Sequence, residues 1–185
     1  MITQHKIIFT GPVGAGKTTA IGAISDIDPV TTEEVATDET KEKKELTTVA
    51  MDYGRIRLDN GEILHLYGTP GQQRFDFMWE LLTEGSIGIV IMLDDTNPAP
   101  LDDVREFVEA FQGYIDQHAV VVGITRMELA KGPKIAEYRA VLAQCGLNVP
   151  VFEIDARQAK DVMLLVQALM YSLDPGLVGD TGEAA

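Results

Sequence analysis

The sequence predicts an α/β domain of three layers, built on a six-stranded, mostly parallel sheet with one antiparallel edge strand. Three observations predict it. Strand-like and helix-like segments alternate along the 185 residues. Residues 86–93 and 119–124 are almost continuously apolar, as parallel strands covered on both faces require. A glycine-rich stretch, Gly11-Pro12-Val13-Gly14-Ala15-Gly16-Lys17-Thr18, joins an apolar strand to a helix start.

Taken in order, the first strand covers residues 5–10, with Ile7, Ile8 and Phe9 at its centre. The first helix covers residues 17–26, and Asp28-Pro29 ends that pattern. Residues 30–48 are polar, with Glu33, Glu34, Asp38, Lys43 and Glu45 among them. They read as a long loop, a kind that is usually functional or mobile. Val49, Met51, Tyr53, Ile56 and Leu58 read as a strand, and residues 63–67 as its return. Asn60-Gly61 reads as a two-residue turn between them, since both residues tolerate φ > 0. Residues 68–75 are irregular and residues 76–84 helical. The helix at 101–117 aligns Leu101, Val104, Val108, Phe111 and Ile115 on one stripe. Its first turn carries Asp102 and Asp103, where the helix dipole favours acids. A helix marked by Ile135, Tyr138, Val141 and Leu142, a strand at 149–154 and a helix at 162–170 complete the pattern. One domain, 1–174, and a flexible tail, 175–185, are expected.

Composition narrows the function. The chain is 45% hydrophobic and 24% charged, as ordinary soluble domains are, with a net charge of −14. So acidic a surface excludes a general binder of nucleic acid or anionic membrane. The single cysteine, Cys145, cannot close an intrachain disulfide and reads as part of a packed helix end. No segment is apolar over the roughly 18 residues of a membrane span, and no lipidation motif is present. A cytoplasmic protein with no direct membrane anchor is expected.

The stretch at 11–18 spells G-x-x-x-x-G-K-T, the P-loop pattern, in the strand–loop–helix setting that the chemistry needs. The glycines let the backbone curl so that N–H groups converge on an anion, and the helix N-terminus adds its positive end. Gly11, Val13, Gly14, Ala15, Gly16, Lys17, Thr18 and Thr19 are the candidate phosphate-binding residues. Lys17 would reach the β- and γ-phosphates, and the Thr18 hydroxyl would ligate Mg²⁺.

A second segment, Tyr67-Gly68-Thr69-Pro70-Gly71-Gln72-Gln73-Arg74-Phe75, follows a strand and resembles the second switch of Ras-like small GTPases, D-T-A-G-Q-E-R-F. The preceding Thr47-Thr48-Val49-Ala50-Met51-Asp52-Tyr53 resembles the end of the first switch. The resemblance covers about residues 5–173 and is nearest the bacterial mutual-gliding (MglA-like) type, where a proline in the second switch is typical. It implies GTP/GDP and Mg²⁺ as ligands and a regulatory switch with slow, partner-stimulated hydrolysis. On that resemblance, Thr48, with Thr47 as its alternative, would join Thr18 on the metal. Gly71 would offer its N–H to the γ-phosphate, and Gln72 would orient the attacking water, with Lys17 as the second catalytic group. Trp79 and its neighbours would divide between core and partner contact.

Thr125-Arg126-Met127-Glu128 stands where these proteins carry T-K-x-D, and Asp155-Ala156-Arg157 resembles their S-A-K segment. Thr125, Arg126, Glu128, Ala156 and Arg157 are therefore the candidate base-binding residues. An acid at 128 accepts two hydrogen bonds from guanine, a donor pair that adenine lacks. Glu128 keeps the charge on a longer stem.

Two positions depart from the pattern. Gly68 replaces the acid that usually holds Mg²⁺ through water, with Asp52 and Asp94 as the carboxylates that could compensate. Val13 stands where a glycine often borders the γ-phosphate, and its branched side chain would crowd the transferring group. Residues 30–48 contain no arginine to serve as a finger. Unassisted turnover on the order of 10⁻⁴ s⁻¹ follows, with acceleration by a partner. The resemblance implies a Roadblock/LC7-type activator and protein effectors at the switch loops. The alternatives are a GTP-bound scaffold that does not hydrolyse, and an ATP-specific P-loop NTPase.

Overall fold

The computed structural model describes residues 4–31, 51–58, 60–69, 82–129 and 131–173. Its elements run β1 (Gln4–Thr10), α1 (Lys17–Ile24), β2 (Val30–Thr31), β3 (Asp52–Arg57), β4 (Ile63–Gly68), β5 (Gly88–Asp94), α2 (Pro100–Ile115), β6 (Ala119–Thr125), α3 (Ile135–Gln144), β7 (Val151–Ile154) and α4 (Ala159–Leu173). The strands form one sheet in the order β2-β3-β4-β1-β5-β6-β7. β4, β1, β5, β6 and β7 are mutually parallel, and β3 runs antiparallel to β4. The expected α/β fold with six principal strands is present. The two-residue β2 adds a seventh, pairing antiparallel with β3 at Val30–Tyr53, so β3 is not the outermost strand. β2 occupies the first two residues of the expected loop at 30–48. The rest of that loop, the second switch from Pro70 and the tail from Asp174 lie outside the described residues.

Parallel strands must be apolar on both faces, and β5 shows why. Val90 and Met92 point to one side, into a cluster with Ile7, Phe9, Ile21 of α1 and Leu165 and Leu169 of α4. Ile89, Ile91 and Leu93 point to the other, where Val104 and Val108 of α2 and Tyr138 and Leu142 of α3 cover them. All seven residues of β5 are buried, as the unbroken apolar run requires. Gly88 and Gly123 let α4 settle close to the sheet. A β-carbon at either position would lie 2.8 Å from a leucine methyl, of Leu169 and Leu165 respectively. Cys145 sits half-buried at the end of α3, against the second cluster, as expected. Among the described residues no helix is long and apolar enough to cross a membrane.

The β3–β4 turn differs from expectation. Gly61 has φ 84. The Leu58 N–H donates to Glu62 O at 2.9 Å, and the Gly61 N–H to Leu58 O at 2.8 Å. Leu58 and Glu62 therefore close the hairpin across three intervening residues, the last of them the left-handed Gly61, instead of the two of an Asn60-Gly61 turn. This sets the register at Asp52↔Gly68 and Arg57↔Ile63.

Leu165 is fully buried beneath β6. Leu165→Ala is expected to lower stability by about 2–5 kcal/mol, measured by denaturant unfolding followed by circular dichroism.

Candidate functional site

The chain leaves β1 at Thr10 and turns through a loop whose shape depends on three left-handed glycines. Gly11, Gly14 and Gly16 have φ of 139, 84 and 93. Gly11 has a further reason. A β-carbon there would fall on the carbonyl oxygen of Met92 at the end of β5. Gly16 is the residue that caps α1, and a β-carbon on it would lie 3.1 Å from Ala156 Cβ.

Within the loop, Lys17 is buried and its Nζ donates to the carbonyls of Gly11 and Pro12, each at 2.7 Å. Burial pulls the ammonium down from its ordinary value to about 8, against the raising influence of Asp52. A buried cation whose hydrogen bonds go to carbonyl dipoles is an arrangement that an incoming phosphate oxygen would stabilise. Thr18, Thr19 and Val13 are exposed, and Val13 presents 65% of its surface.

The Thr18 hydroxyl donates to Asp52 Oδ2 at 2.5 Å. Asp52 opens β3, and its pairing partner on β4 is Gly68. A β-carbon at 68 would lie 2.9 Å from Asp52 Cβ and 3.0 Å from its Oδ2. The missing side chain at 68 thus makes room for a carboxylate from the neighbouring strand, which reaches the hydroxyl of the phosphate loop. Of the two carboxylates expected to compensate for Gly68, Asp52 is the one that meets Thr18. Asp94 accepts from the Thr96 N–H and hydroxyl and from Arg126. Among the described residues no cluster of three or more His, Cys, Asp or Glu side chains could hold a metal. Thr18 and Asp52 offer hard oxygens only, which fits Mg²⁺, an ion that completes its shell with phosphates and water instead of a protein cage.

Three of the five base-binding candidates, Thr125, Arg126 and Ala156, meet the same loop. Thr125, at the end of β6, donates its hydroxyl to Leu93 O at 3.0 Å and Ala15 O at 3.3 Å. Arg126 has φ 61, a left-handed conformation rare outside glycine. Its Nη1 donates to Gly14 O at 2.9 Å and pairs with the buried Asp94. Ala156 packs on Gly16. Arg157 does not reach the loop. It grips Asp155 through two bonds of 2.8 Å, which hold that carboxyl down to about 2. Glu128 is exposed on the β6–α3 loop, within electrostatic reach of Arg157. Thr48, Gly71, Gln72 and Trp79 lie outside the described residues.

The fold and this site together define a nucleotide-binding α/β domain with a P-loop. A family model described as conserved hypothetical ATP-binding protein matches residues 27–142, and the chain belongs to that family. It is similar to an uncharacterized protein of Methanocaldococcus jannaschii, 37% identical over 101 residues, 54% of this chain and 57% of that one. The chain thus spans little more than half the length of this relative. It is also similar to the Ras-related protein RabC of Dictyostelium discoideum, 20% identical over 176 residues, 92% of this chain and 84% of that one. The human Ras-related protein Rab-27A is 22% identical over 180 residues, 89% of this chain and 76% of that one. Distant kinship with the Ras-related proteins therefore extends along nearly the whole chain.

Gly68→Ala is expected to push Asp52 off Thr18. Nucleotide affinity measured calorimetrically in Mg²⁺ should fall about tenfold, with affinity in EDTA unchanged.

Proposed function

We propose that this chain is a GTP-binding regulatory switch of the mutual-gliding kind, with Mg²⁺ as cofactor and slow hydrolysis that a protein partner accelerates. The observation that carries the reading is the junction between the phosphate loop and the base loop. Arg126 and Thr125 hold the carbonyls of Gly14 and Ala15, which supports a base-binding role for the segment that these two residues open. Glu128 is the acid of that segment, and it would accept from guanine N1 and N2. Kinship with the Ras-related proteins supports the same reading.

In this mechanism the bound metal supplies charge neutralisation at the phosphates. Lys17 exchanges its two carbonyl partners for β- and γ-phosphate oxygens. Thr18 and Thr48 would hold the Mg²⁺, with Asp52 bonded to the Thr18 hydroxyl behind them. Gly71 and Gln72 act on the γ-phosphate and the attacking water. Val13, exposed at the mouth of the loop, crowds the transferring group and slows the step. Effectors and a Roadblock-type activator would read the two switch segments in the cytoplasm.

The second reading is ATP. The family description favours it, and so does Glu128, one methylene longer than the aspartate usual for guanine. Chromatography of the nucleotide released on denaturation separates the two. GDP or GTP supports the switch, and ADP or ATP moves the protein to the second reading. Single-turnover hydrolysis near 10⁻⁴ s⁻¹ is expected for the wild type, and a rate above about 1 s⁻¹ would contradict dependence on a partner. Val13→Gly is expected to raise the single-turnover rate severalfold.

A further inference from the structure

The β6–α3 loop, which carries Arg126 and Glu128, is held from behind by a contact that the phosphate site does not use. Asp95 follows the last residue of β5, is 3% exposed, and its N–H donates to Thr125 O at 3.1 Å. Its Oδ1 accepts from the hydroxyl of Tyr138 at 2.5 Å. Tyr138 is fully buried in the first turns of α3. The carboxylate also presses against the loop backbone. A β-carbon at Gly132 would lie 2.7 Å from Asp95 Oδ1 and closer still to Oδ2. One buried residue thus meets the start of the loop through its backbone N–H, and the loop's middle and the following helix through its carboxylate.

The neighbouring acid works on the other side. Asp94 is 6% exposed, and its carboxylate pairs with Arg126 on the face towards the phosphate loop. Arg126 sits in a left-handed conformation that costs energy for a residue with a β-carbon. Such a residue stays in place only where its surroundings over-determine it. Asp94 supplies one restraint, and the Asp95–Tyr138 contact supplies the other by fixing where the loop returns to α3.

We propose that Asp95, Tyr138 and Gly132 form a clamp that positions the base loop and so sets which purine base the site accepts. Tyr138 is a positioning residue that acts through the loop and does not itself touch nucleotide. The inference rests on the base-reading role given to residues 125–128 above. The clamp needs a glycine at 132 for space, since that residue has no positive φ to require one. Without the Tyr138 hydroxyl, a buried carboxylate loses its donor, and the loop must open to admit water.

The test compares wild type, Tyr138→Phe and Gly132→Ala by calorimetric titration with GTP, ATP and inorganic tripolyphosphate, all with Mg²⁺. Tripolyphosphate engages only the phosphate loop, so it reports general damage to the fold. Both variants are expected to lose about tenfold in affinity for the preferred nucleotide, with tripolyphosphate binding held within about twofold. Preference between GTP and ATP should narrow in parallel. Equal losses for nucleotide and tripolyphosphate, or no loss for either, would overturn the clamp. Gly132 is exposed in the loop, so its variant decides the matter if Tyr138→Phe does not fold. Wild type that binds tripolyphosphate as tightly as both nucleotides would remove base recognition itself, and the clamp with it. Wild type that discriminates while the variants match it would remove the clamp alone.

Discussion

Close approach between the phosphate loop and the ends of β5 and β6 is the constraint on which the rest of the site depends. Met92 O fills the space of a side chain at Gly11, and Ala156 fills most of the space at Gly16. The carbonyls of Gly11, Pro12, Gly14 and Ala15 are each taken by a side chain: the first two by Lys17, the others by Arg126 and Thr125. With the oxygen end of these peptide dipoles engaged, their opposite end is what the loop can present to an anion. In a chain of net charge −14, the positive potential a phosphate needs must be built locally. Lys17, Arg126 and the α1 terminus all lie at this one loop.

The carboxylate beside Thr18 shows how one strand can supply what its neighbour lacks. In an antiparallel pair, residues directly opposite share a face of the sheet and stand close enough to trade space. Gly68 gives up a side chain, and Asp52 uses the volume. The space at Gly68 thus lets the acid of the neighbouring strand reach Thr18. The price is steric: no side chain at 68 can coexist with Asp52 in this position.

The two adjacent acids at the end of β5 divide their work by the alternation of the strand. Asp94 turns to the phosphate loop through Arg126, and Asp95 turns to α3 through Tyr138. Buried carboxylates are costly unless they are hydrogen-bonded. Burial, then the Asp95 bond, hold the Tyr138 phenol well above its usual range, so it remains a proton donor at physiological pH. The β6–α3 loop is therefore fixed by groups on both of its sides, although its own residues are largely exposed.

Much of this was legible in the residues themselves. The strands and helices followed from apolar periodicity, which the backbone geometry of each element imposes within a few turns of chain. The phosphate loop followed from Gly11, Gly14, Gly16, Lys17 and Thr18, because its chemistry is local. The turn at Asn60-Gly61 was legible as a turn but not in its length. A two-residue loop would set Asp52 opposite Thr69, one residue out of register, and aim it at the wrong face. The observed closure between Leu58 and Glu62 sets it opposite Gly68. The tertiary structure alone decided that Asp52 meets Thr18, that Asp94 meets Arg126, and that Asp95 meets Tyr138. These pairs lie 34, 32 and 43 residues apart in the chain. No periodic pattern spans such distances. They form only when strand register and helix packing bring the partners together.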